Sequence, residues 1–457
     1  MSALNRSLIT KYNVPGPRYT SYPTVPYWDQ STFSAAKWHH AVRRSFMESN
    51  SRDGIGLYIH LPYCESLCTF CGCNKRITKN HAVERPYVDA VLKEWSSYLK
   101  VLPGTPRVRE IHLGGGTPTF FSPKNLEELI RSILETVTPA SPTEFGFEAN
   151  PIFTTTEHLE TLYRLGFRRL SLGVQDFDPV VQEIIHRTQP FDTVARITET
   201  ARCIGYQSIN YDLVYGLPLQ QRTSVIDTVR NVSLLRPERI AFYSYAHVPW
   251  IKGVGQRRFS EEDLPRDWEK RVLYETGREL LEEGGYREIG MDHFALPEDS
   301  LYRAAQQGTL HRNFMGYTPV NTQLCIGLGV SSISDSWYAF AQNEKAVEVY
   351  LRQASEGIVP IFRGHLLTEE DLILRRHIHN VMCRFETSWA DQRELHPALE
   401  AGLGRLHELE ADGLVTIADS GLTVTEAGRP FLRNVCMALD ARLMCSQQRT
   451  QLFSQVI

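Results

Sequence analysis

No long apolar run occurs in this sequence, and no stretch approaches the roughly 18 consecutive apolar residues that would indicate a transmembrane helix. The N-terminus lacks the apolar core and the small-residue cleavage site of a signal peptide. A long basic tract of the kind that binds nucleic acid is also missing, and the formal net charge is −4. We therefore expect a cytoplasmic protein that neither spans a membrane nor binds nucleic acid.

The composition is that of a globular protein with a sizeable core, since 42% of the 457 residues are hydrophobic and 22% are charged. At roughly 100–200 residues per domain, this length predicts two or three domains. We predict an N-terminal arm over residues 1–53, a barrel with its extension over residues 54–360, and a mostly helical C-terminal domain over residues 361–457. Within the arm, residues 16–24 (GPRYTSYPT) predict an ordered irregular segment.

Six short apolar segments alternate with helix-like segments from about residue 54 onward. This order predicts a parallel sheet of βα units, and six such units can form a partial (β/α) barrel of the α/β class. The predicted strands are residues 55–61, 110–114, 144–149, 169–174, 208–214 and 240–245. Most of the motifs that could carry chemistry lie at the ends of these strands, where α/β folds bind ligands.

After about residue 365, the pattern predicts a long amphipathic helix and then a helix, a hairpin and a helix that resemble a winged helix. Winged helices often bind DNA, but the last helix of this unit carries few basic residues. We expect a structural role or a substrate-lid role for this unit.

Four of the nine cysteines, Cys64, Cys68, Cys71 and Cys73, fall within ten positions with the spacing C-x3-C-x2-C-x-C. A local cluster in a long chain favours metal binding or redox chemistry over a disulfide scaffold. A structural zinc site usually has two separated ligand pairs, and no second pair follows at that distance. Three cysteines can instead hold three irons of a cubane cluster and leave the fourth iron open. Cys73 is a poor fourth ligand, and it either packs as a thiol or acts on the substrate side.

The glycine-rich segment 114–119 (GGGTPT) follows the second strand, and glycines let a ligand approach the backbone closely. The segment does not match the G-x-G-x-x-G motif of dinucleotide binding, and a Walker lysine is absent, so NAD and ATP are not expected. Glu148 ends the third strand, where it is either a surface acid or an acceptor for an ammonium group or a ribose.

The cysteine spacing, with an aromatic residue before the third cysteine, resembles that of the radical S-adenosylmethionine superfamily. Motifs from Gly16 to the C-terminus resemble, more narrowly, those of the oxygen-independent coproporphyrinogen III oxidases, also called dehydrogenases. These motifs are GPRYTSYPT, YIHLPYC, CGCNK, HLGGGTPT, LSLGVQDF, YDLVYGLP, YAHVPW, GMDHFA, LHRNF and FLRNVCM. The arm and the CGC element are expected to be lacking in the related heme-chaperone branch.

The resemblance implies that two propionates of coproporphyrinogen III are oxidatively decarboxylated to vinyl groups, giving protoporphyrinogen IX in heme biosynthesis. It also implies a 4Fe–4S cluster and a 5′-deoxyadenosyl radical made from S-adenosylmethionine, because an unactivated C–H bond is beyond ordinary general bases. The alternatives are a heme-binding or heme-transfer protein, or another radical protein that acts on tetrapyrroles. A monomer is expected, and the electron donor and acceptor are unknown.

The resemblance further assigns roles to individual residues. The cluster ligands would be Cys64, Cys68 and Cys71, and the candidates for catalysis are Cys73, Tyr58 and Glu148. Two S-adenosylmethionine molecules are implied. The first would lie among Tyr58, Gly115, Glu148 and Ile333. The second would lie among Phe70, Gly116, Thr117, Gln175, Arg187, Asp212 and Ala246.

The propionates of the substrate are anionic, so a cationic side chain is expected near them, and Arg18 and Arg312 are the candidates. Related sequences often read Phe-Gln-Gly-Tyr after the Arg-Asn pair, whereas this chain has Met315 at the glutamine position. Methionine cannot donate the hydrogen bonds of an amide, so we expect Met315 to contribute packing only.

Overall fold

The computed structural model describes residues 6–250, 256, 258–445 and 452–456. Its strands are β1 (Ile55–Leu61), β2 (Tyr63–Cys64), β3 (Arg76–Ile77), β4 (Arg107–Gly115), β5 (Thr138–Ala149), β6 (Arg169–Gln175), β7 (Ser208–Tyr215), β8 (Arg239–Ser244), β9 (Arg287–Gly290), β10 (His293–Ala295), β11 (His311–Asn313), β12 (Gly316–Thr318), β13 (Cys325–Leu328), β14 (Ile333–Asp335), β15 (Ala339–Asn343), β16 (Ile361–Leu366), β17 (Glu386–Ser388), β18 (Val415–Ala418) and β19 (Gly421–Val424).

The helices of the same residues are α1 (Arg6–Tyr12), α2 (Ala35–Ser49), α3 (Glu84–Val101), α4 (Pro123–Leu134), α5 (Thr156–Arg164), α6 (Pro179–Ile184), α7 (Phe191–Ile204), α8 (Arg222–Leu235), α9 (Asp267–Glu283), α10 (Ser300–Gln306), α11 (Val347–Ser355), α12 (Glu369–Arg384), α13 (Pro397–Ala411), α14 (Leu432–Leu439) and α15 (Ala441–Cys445). Short 3-10 helices span Val25–Tyr27, His81–Val83, Pro118–Phe120, Glu261–Asp263, Gln392–Glu394 and Glu426–Phe431. Within the described ranges, no helix is both long enough and apolar enough to cross a membrane.

The main sheet has 12 strands in the order β16-β15-β14-β13-β1-β4-β5-β6-β7-β8-β10-β9. Its centre is parallel, because β1, β4, β5, β6, β7 and β8 run in one direction and β13 joins β1 in the same direction. Antiparallel strands extend both sides. The six central strands are the six that the sequence predicts, which confirms the α/β class and the partial barrel of six βα units.

The crossover helices begin and end at residues suited to those positions. Ser122 accepts a hydrogen bond from the backbone N–H of Asn125 and Pro123 follows it, so both the cap and the fixed φ of proline favour the start of α4 there. Gly205 ends α7 with a φ of 113°, a conformation that glycine adopts without steric cost. Apolar residues of these helices share one hydrophobic cluster with Leu57 of β1 and Ile111 of β4, which are fully buried.

The N-terminal arm packs on the C-terminal part of the chain. Residues 16–24 are irregular, as predicted, and the Tyr19 hydroxyl donates to Asp440 over 3.0 Å. Helix α2, which the sequence analysis did not predict, instead buries Trp38 and Val42 in the core of the main sheet. The arm therefore contributes to the two largest hydrophobic clusters of the protein.

The C-terminal part contains the predicted helix, hairpin and helix. Helices α12 and α13 precede the hairpin β18–β19, and β17 pairs with β19 to complete a three-stranded sheet. A 3-10 helix then leads into α14. Strand β16 lies just after residue 360 but pairs with β15 in the main sheet. The predicted domain boundaries stay predictions.

Candidate active site

A cavity of about 380 Å³ lies at the carboxyl ends of the parallel strands and continues between them. Most of the predicted site residues line this cavity: Cys64, Cys68, Phe70, Cys71, Cys73, Gly115, Gly116, Thr117, Glu148, Gln175, Arg187 and Asp212. They come from loops and strand ends that are far apart along the chain. The parallel sheet brings them together because all its central strands end on one side.

The cysteines lie on a loop whose two ends are joined by a short parallel strand pair. Cys64 in β2 is opposite Ile77 in β3, and the backbone N–H of Thr78 donates to the Cys64 carbonyl over 2.9 Å. Cys64, Cys68 and Cys71 are half-buried, whereas Cys73 is exposed. The loop therefore presents four thiols to the cavity from a closed base, three of them half-buried.

Hydrogen-bond donors approach the thiols. Thr117 Oγ1 lies 3.3 Å from Cys64 Sγ, and Arg187 Nη1 donates to Cys68 Sγ over 3.6 Å. Enclosure in the cavity raises the pKa of Cys64 to about 11 although the Thr117 contact opposes it. The pKa of Cys71 is lowered, chiefly by a hydrogen bond from Cys73. The pKa of Cys73 is raised by the same pair interaction, so Cys71 is the more acidic thiol of the two.

The donor set fits an iron–sulfur cluster better than a single metal ion. Among the residues that the structure describes, no three His, Cys, Asp or Glu side chains converge on one possible ion position. A cubane binds each cysteine through a different iron, so its ligands do not need to converge on one atom. Three soft thiols on one loop, with an arginine and a threonine directed at sulfur, match that requirement.

The glycine-rich segment is required by the protein's own packing. Gly115 has a φ of 111°, and a Cβ there would lie 2.7 Å from the ring of His60. A Cβ on Gly116 would lie 2.6 Å from the carbonyl of Pro62. The turn therefore packs directly against β1 and the start of the cysteine loop, and the same two glycines line the cavity.

Two carboxylates line the middle of the cavity and differ in acidity. Glu148 accepts hydrogen bonds from the Gly115 N–H over 3.3 Å and faces His112 Nε2 at 3.4 Å. Enclosure tends to raise its pKa, but the His112 and Gly115 contacts outweigh that effect and lower the pKa overall. For Asp212, enclosure and the nearby charge of Glu148 raise the pKa to about 7. Glu148 is therefore the stronger candidate to meet an ammonium group as an anion.

The segment after β6 is held in an uncommon conformation. Gln175 has a φ of 69°, which few residues other than glycine adopt. The next residue, Asp176, is fully buried and accepts hydrogen bonds from Thr228 Oγ1 over 2.7 Å and from Gln220 Nε2 over 2.5 Å. These contacts offset the strain and hold Gln175 at the cavity wall.

Three predicted residues do not line the cavity. The Tyr58 ring stacks on His112 with the centroids 6.1 Å apart, and its hydroxyl lies 3.1 Å from His60 Nδ1. Ile333 belongs to β14. The Ala246 carbonyl accepts a hydrogen bond from Gln256 Nε2 over 2.8 Å. Contacts of these residues with S-adenosylmethionine stay predictions.

The two arginines predicted to meet the substrate also lie outside this cavity. Arg18 donates to the Ser244 carbonyl over 2.5 Å, and its Nη1 lies 3.8 Å from Asp292 Oδ2. Arg312 is buried and stacks over the Tyr317 ring at 4.5 Å. Met315, in contrast, does line the cavity.

The sequence analysis missed several cavity residues: His112, Arg169, Ser171, Asn210, Arg239, Tyr243 and His293. Four of them lie two or four positions before another cavity residue on the same strand: Arg169, Ser171, Asn210 and Arg239. Asn210, for example, lies two positions before Asp212. Side chains at alternate positions of a strand face the same side. Counting back in steps of two from Gln175 and Asp212 would have found Arg169, Ser171 and Asn210, whereas His293 lies in β10, which was not predicted.

The family model described as the Radical SAM superfamily matches residues 58–230. The oxygen-independent coproporphyrinogen III oxidase of Escherichia coli (strain K12) is 38% identical over 456 residues, which cover 99% of this chain and 98% of that protein. The enzyme of the same name from Pseudomonas aeruginosa is 38% identical over 465 residues, with 98% of each chain covered. The solved structure of coproporphyrinogen III oxidase (HemN) from Escherichia coli, described as a radical SAM enzyme, superposes with a TM-score of 0.87 at 36% identity over 93% of this chain and 97% of that one. The chain belongs to the family of oxygen-independent coproporphyrinogen III oxidases within the radical SAM superfamily.

Proposed function

We propose that this protein oxidatively decarboxylates two propionate side chains of coproporphyrinogen III to vinyl groups, giving protoporphyrinogen IX in heme biosynthesis. One observation supports this proposal above the others. The three cysteines, the glycine-rich segment and two carboxylates line a single cavity in a chain that is 38% identical to the Escherichia coli enzyme over 99% of its length.

The cavity offers residues for both cofactors. Cys64, Cys68 and Cys71 would hold the 4Fe–4S cluster through their thiolates. The residues proposed to contact a first S-adenosylmethionine are Tyr58, Gly115, Glu148 and Ile333. Those proposed for a second molecule are Phe70, Gly116, Thr117, Gln175, Arg187, Asp212 and Ala246. When bound, these cofactors supply a carbon-centred radical that can remove a hydrogen atom from an unactivated carbon.

The protein's own residues bind and orient the cofactor and the substrate and shield them from water. Glu148, whose pKa is lowered, offers an anion to an ammonium group. Asp212, held by Asn210 and Ser171 over 2.9 and 3.0 Å, offers acceptors to ribose hydroxyls. The surrounding strands limit the access of water, which would otherwise compete in side reactions. Cys73, exposed beside the ligand loop, is the candidate for a substrate-side role.

The reaction balance requires partners besides the substrate. Each propionate that becomes a vinyl group loses one hydrogen atom, one carbon dioxide and one electron. The bound cofactor would take up the hydrogen atom, and the electron needs an acceptor that is not yet identified. The donor that reduces the cluster is likewise unidentified. The cytoplasmic location and the monomeric state stay predictions, which cell fractionation and size-exclusion chromatography would check.

An anaerobic turnover assay tests the proposal. Reconstituted protein, a reductant, S-adenosylmethionine and coproporphyrinogen III should together yield protoporphyrinogen IX and carbon dioxide. Cleavage of S-adenosylmethionine with the porphyrinogen left intact would contradict the proposal. Stable heme binding without turnover would favour a heme-transfer protein. Opening of the tetrapyrrole with loss of iron would favour a different radical reaction on the same fold.

A further inference from the structure

A series of polar side chains leads from the cavity toward the N-terminal arm. The Tyr243 hydroxyl lies 3.3 Å from His293 Nε2, and His293 Nδ1 lies 2.9 Å from Asp292 Oδ1. Asp292 Oδ2 is in turn 3.8 Å from Arg18 Nη1. Tyr243 and His293 line the cavity that holds the cysteines, whereas Asp292 and Arg18 line a neighbouring cavity of about 450 Å³. The series therefore forms part of the wall between the two cavities.

The ring of His293 is held from several sides. Its side chain is 11% exposed, and the rings of Tyr243 and Tyr317 meet it edge-on at 5.4 and 5.1 Å. The contact between Asp292 and Nδ1 leaves Nε2 as the ring nitrogen on the cavity side. A carboxylate that accepts from one ring nitrogen fixes both the tautomer and the orientation of a histidine. His293 is thus oriented before any ligand arrives.

The wall behind His293 carries more positive than negative charge. Arg312 is 7% exposed, donates to the Arg18 carbonyl over 3.3 Å, and its Nε and Nη1 have no hydrogen-bond partner among the described residues. Although burial alone would raise the pKa of Asp292, His293 and the charges of Arg18 and Arg312 lower it. One anion therefore lies among two arginines and a histidine, and a second anion at this end of the cavity would be stabilised.

We propose that the Nε2 of His293 and the hydroxyl of Tyr243 bind a carboxylate of the anionic tetrapyrrole, and that Asp292 is the positioning residue for His293. This inference rests on the proposed function, because that function supplies the substrate. A protonated imidazole ring donates from both nitrogens, to Asp292 on one side and to the carboxylate on the other. The tyrosine hydroxyl, which contacts the ring in the free protein, turns to donate to the same carboxylate. Arg18 and Arg312 add positive charge from behind this wall.

The test compares a ligand whose carboxyl groups are charged with one whose carboxyl groups are esterified. Fluorescence titration of the cluster-loaded protein with coproporphyrin III, and separately with its tetramethyl ester, gives a Kd for each. The variant H293L should weaken binding of the acid by about tenfold, the scale of one charge-assisted hydrogen bond, and should change ester binding far less. Y243F should act in the same direction, and H293Q, which keeps a donor, should fall between H293L and the unchanged protein. In turnover, H293L should raise KM more than it lowers kcat.

The control variant H377L removes a buried histidine that is also hydrogen-bonded at both ring nitrogens, but in the C-terminal unit. It should leave the ratio of the two Kd values unchanged. If H293L and Y243F weaken acid and ester binding equally, or change neither, the inference is wrong. Because the titration needs no turnover, this failure is distinct from failure of the proposed function, which appears as loss of product in the unchanged protein.

Discussion

At the scale of single residues, neighbours decide the acidity of the cavity carboxylates. Glu148 and Asp212 lie in the same cavity, and enclosure disfavours the charged form of both. Glu148 faces His112 and a backbone N–H, so its pKa is lowered. Asp212 accepts hydrogen bonds from the neutral side chains of Ser171 and Asn210. Burial and the nearby charge of Glu148 outweigh these contacts and raise its pKa to about 7. Such opposed shifts in one pocket are typical of functional sites.

The raised pKa of Asp212 predicts that ionisation of this carboxyl group destabilises the cofactor-free protein above neutral pH. Between about pH 4 and 7 the folded state binds a proton that the unfolded state has lost, so stability falls as the pH rises toward the folded pKa. The variant D212N should increase the free energy of unfolding by about 1–2 kcal/mol at alkaline pH and by little in acid, since water in the cavity screens part of the effect. Denaturant unfolding at both pH values measures the difference. A gain that is equal at both pH values would contradict this explanation.

The cysteine loop predicts different outcomes for neighbouring thiols. Replacing Cys64, Cys68 or Cys71 with alanine should abolish cluster assembly, because each thiolate binds a different iron. Cys73→Ala should retain the cluster but lose product formation. The matched control is Cys203→Ala, an exposed cysteine on α7 that should change neither property. Iron and sulfide analysis measures cluster assembly, and the turnover assay measures product formation. If Cys73→Ala lost the cluster while Cys71→Ala kept it, the ligand assignment would be wrong.

At the scale of elements, the turn after β4 is hydrogen-bonded to the end of β1 and to the start of the cysteine loop. The N–H of Gly116 donates to the Leu61 carbonyl over 2.8 Å, and that of Thr117 donates to the Tyr63 carbonyl over 3.0 Å. The glycine-rich segment thus packs on the chain that leads to Cys64. Its position and that of the cysteine loop depend on each other, so a change in the turn should displace the loop.

Gly116→Ala tests this dependence. The new Cβ would lie 2.6 Å from the backbone of Pro62, which cannot move aside without displacing the cysteine loop. We expect a loss of about 1–3 kcal/mol in the free energy of unfolding, together with a lower iron content after reconstitution. Gly404→Ala is the matched control, because that glycine lies in α13 with open space around it, and the change should stabilise α13 slightly. Equal iron content in the two variants would show that the turn and the loop are independent.

At the scale of the whole molecule, the arm connects the barrel with the C-terminal unit. Arg433 in α14 is buried, and its guanidinium donates to the carbonyls of Gly16, Pro17, Gln455 and Val456. Asn434 donates to the Tyr12 carbonyl over 2.9 Å. The same arm carries Arg18 to the wall between the two cavities. Docking of the arm is therefore coupled to the wall of the candidate active site.

Arg433→Ala should release the arm. Several buried carbonyls would lose a charged donor, so we expect a loss of about 3 kcal/mol or more in the free energy of unfolding and faster cleavage of the arm in limited proteolysis. Arg230→Ala, an exposed arginine on α8 whose side chain is 72% accessible, is the control and should change neither. Cleavage at the same rate in both variants would mean that other contacts hold the arm.

The class of fold followed from patterns that are local in sequence. Apolar runs and helical periodicity depend on residues a few positions apart, so all six central strands were predicted, with their ends within a few residues except at β5, which begins earlier. Helix α2 was not predicted, because its place in the core becomes evident only when Trp38 meets the main sheet. The three cysteines proposed as cluster ligands could be recognised for the same local reason, since their spacing is a property of one loop.

The sequence by itself determined the barrel, the cysteine loop and the family, because each depends on short motifs or on similarity along the whole chain. Only the tertiary structure decided which side chains meet in the cavity. Arg18 and Arg312, the candidates for a cation near the propionates, do not line this cavity, and their contact with the substrate stays a prediction. His293, on a strand that was not predicted, also lines the cavity. Such placements depend on register between strands and on the packing of the arm, which join residues hundreds of positions apart and leave no local pattern.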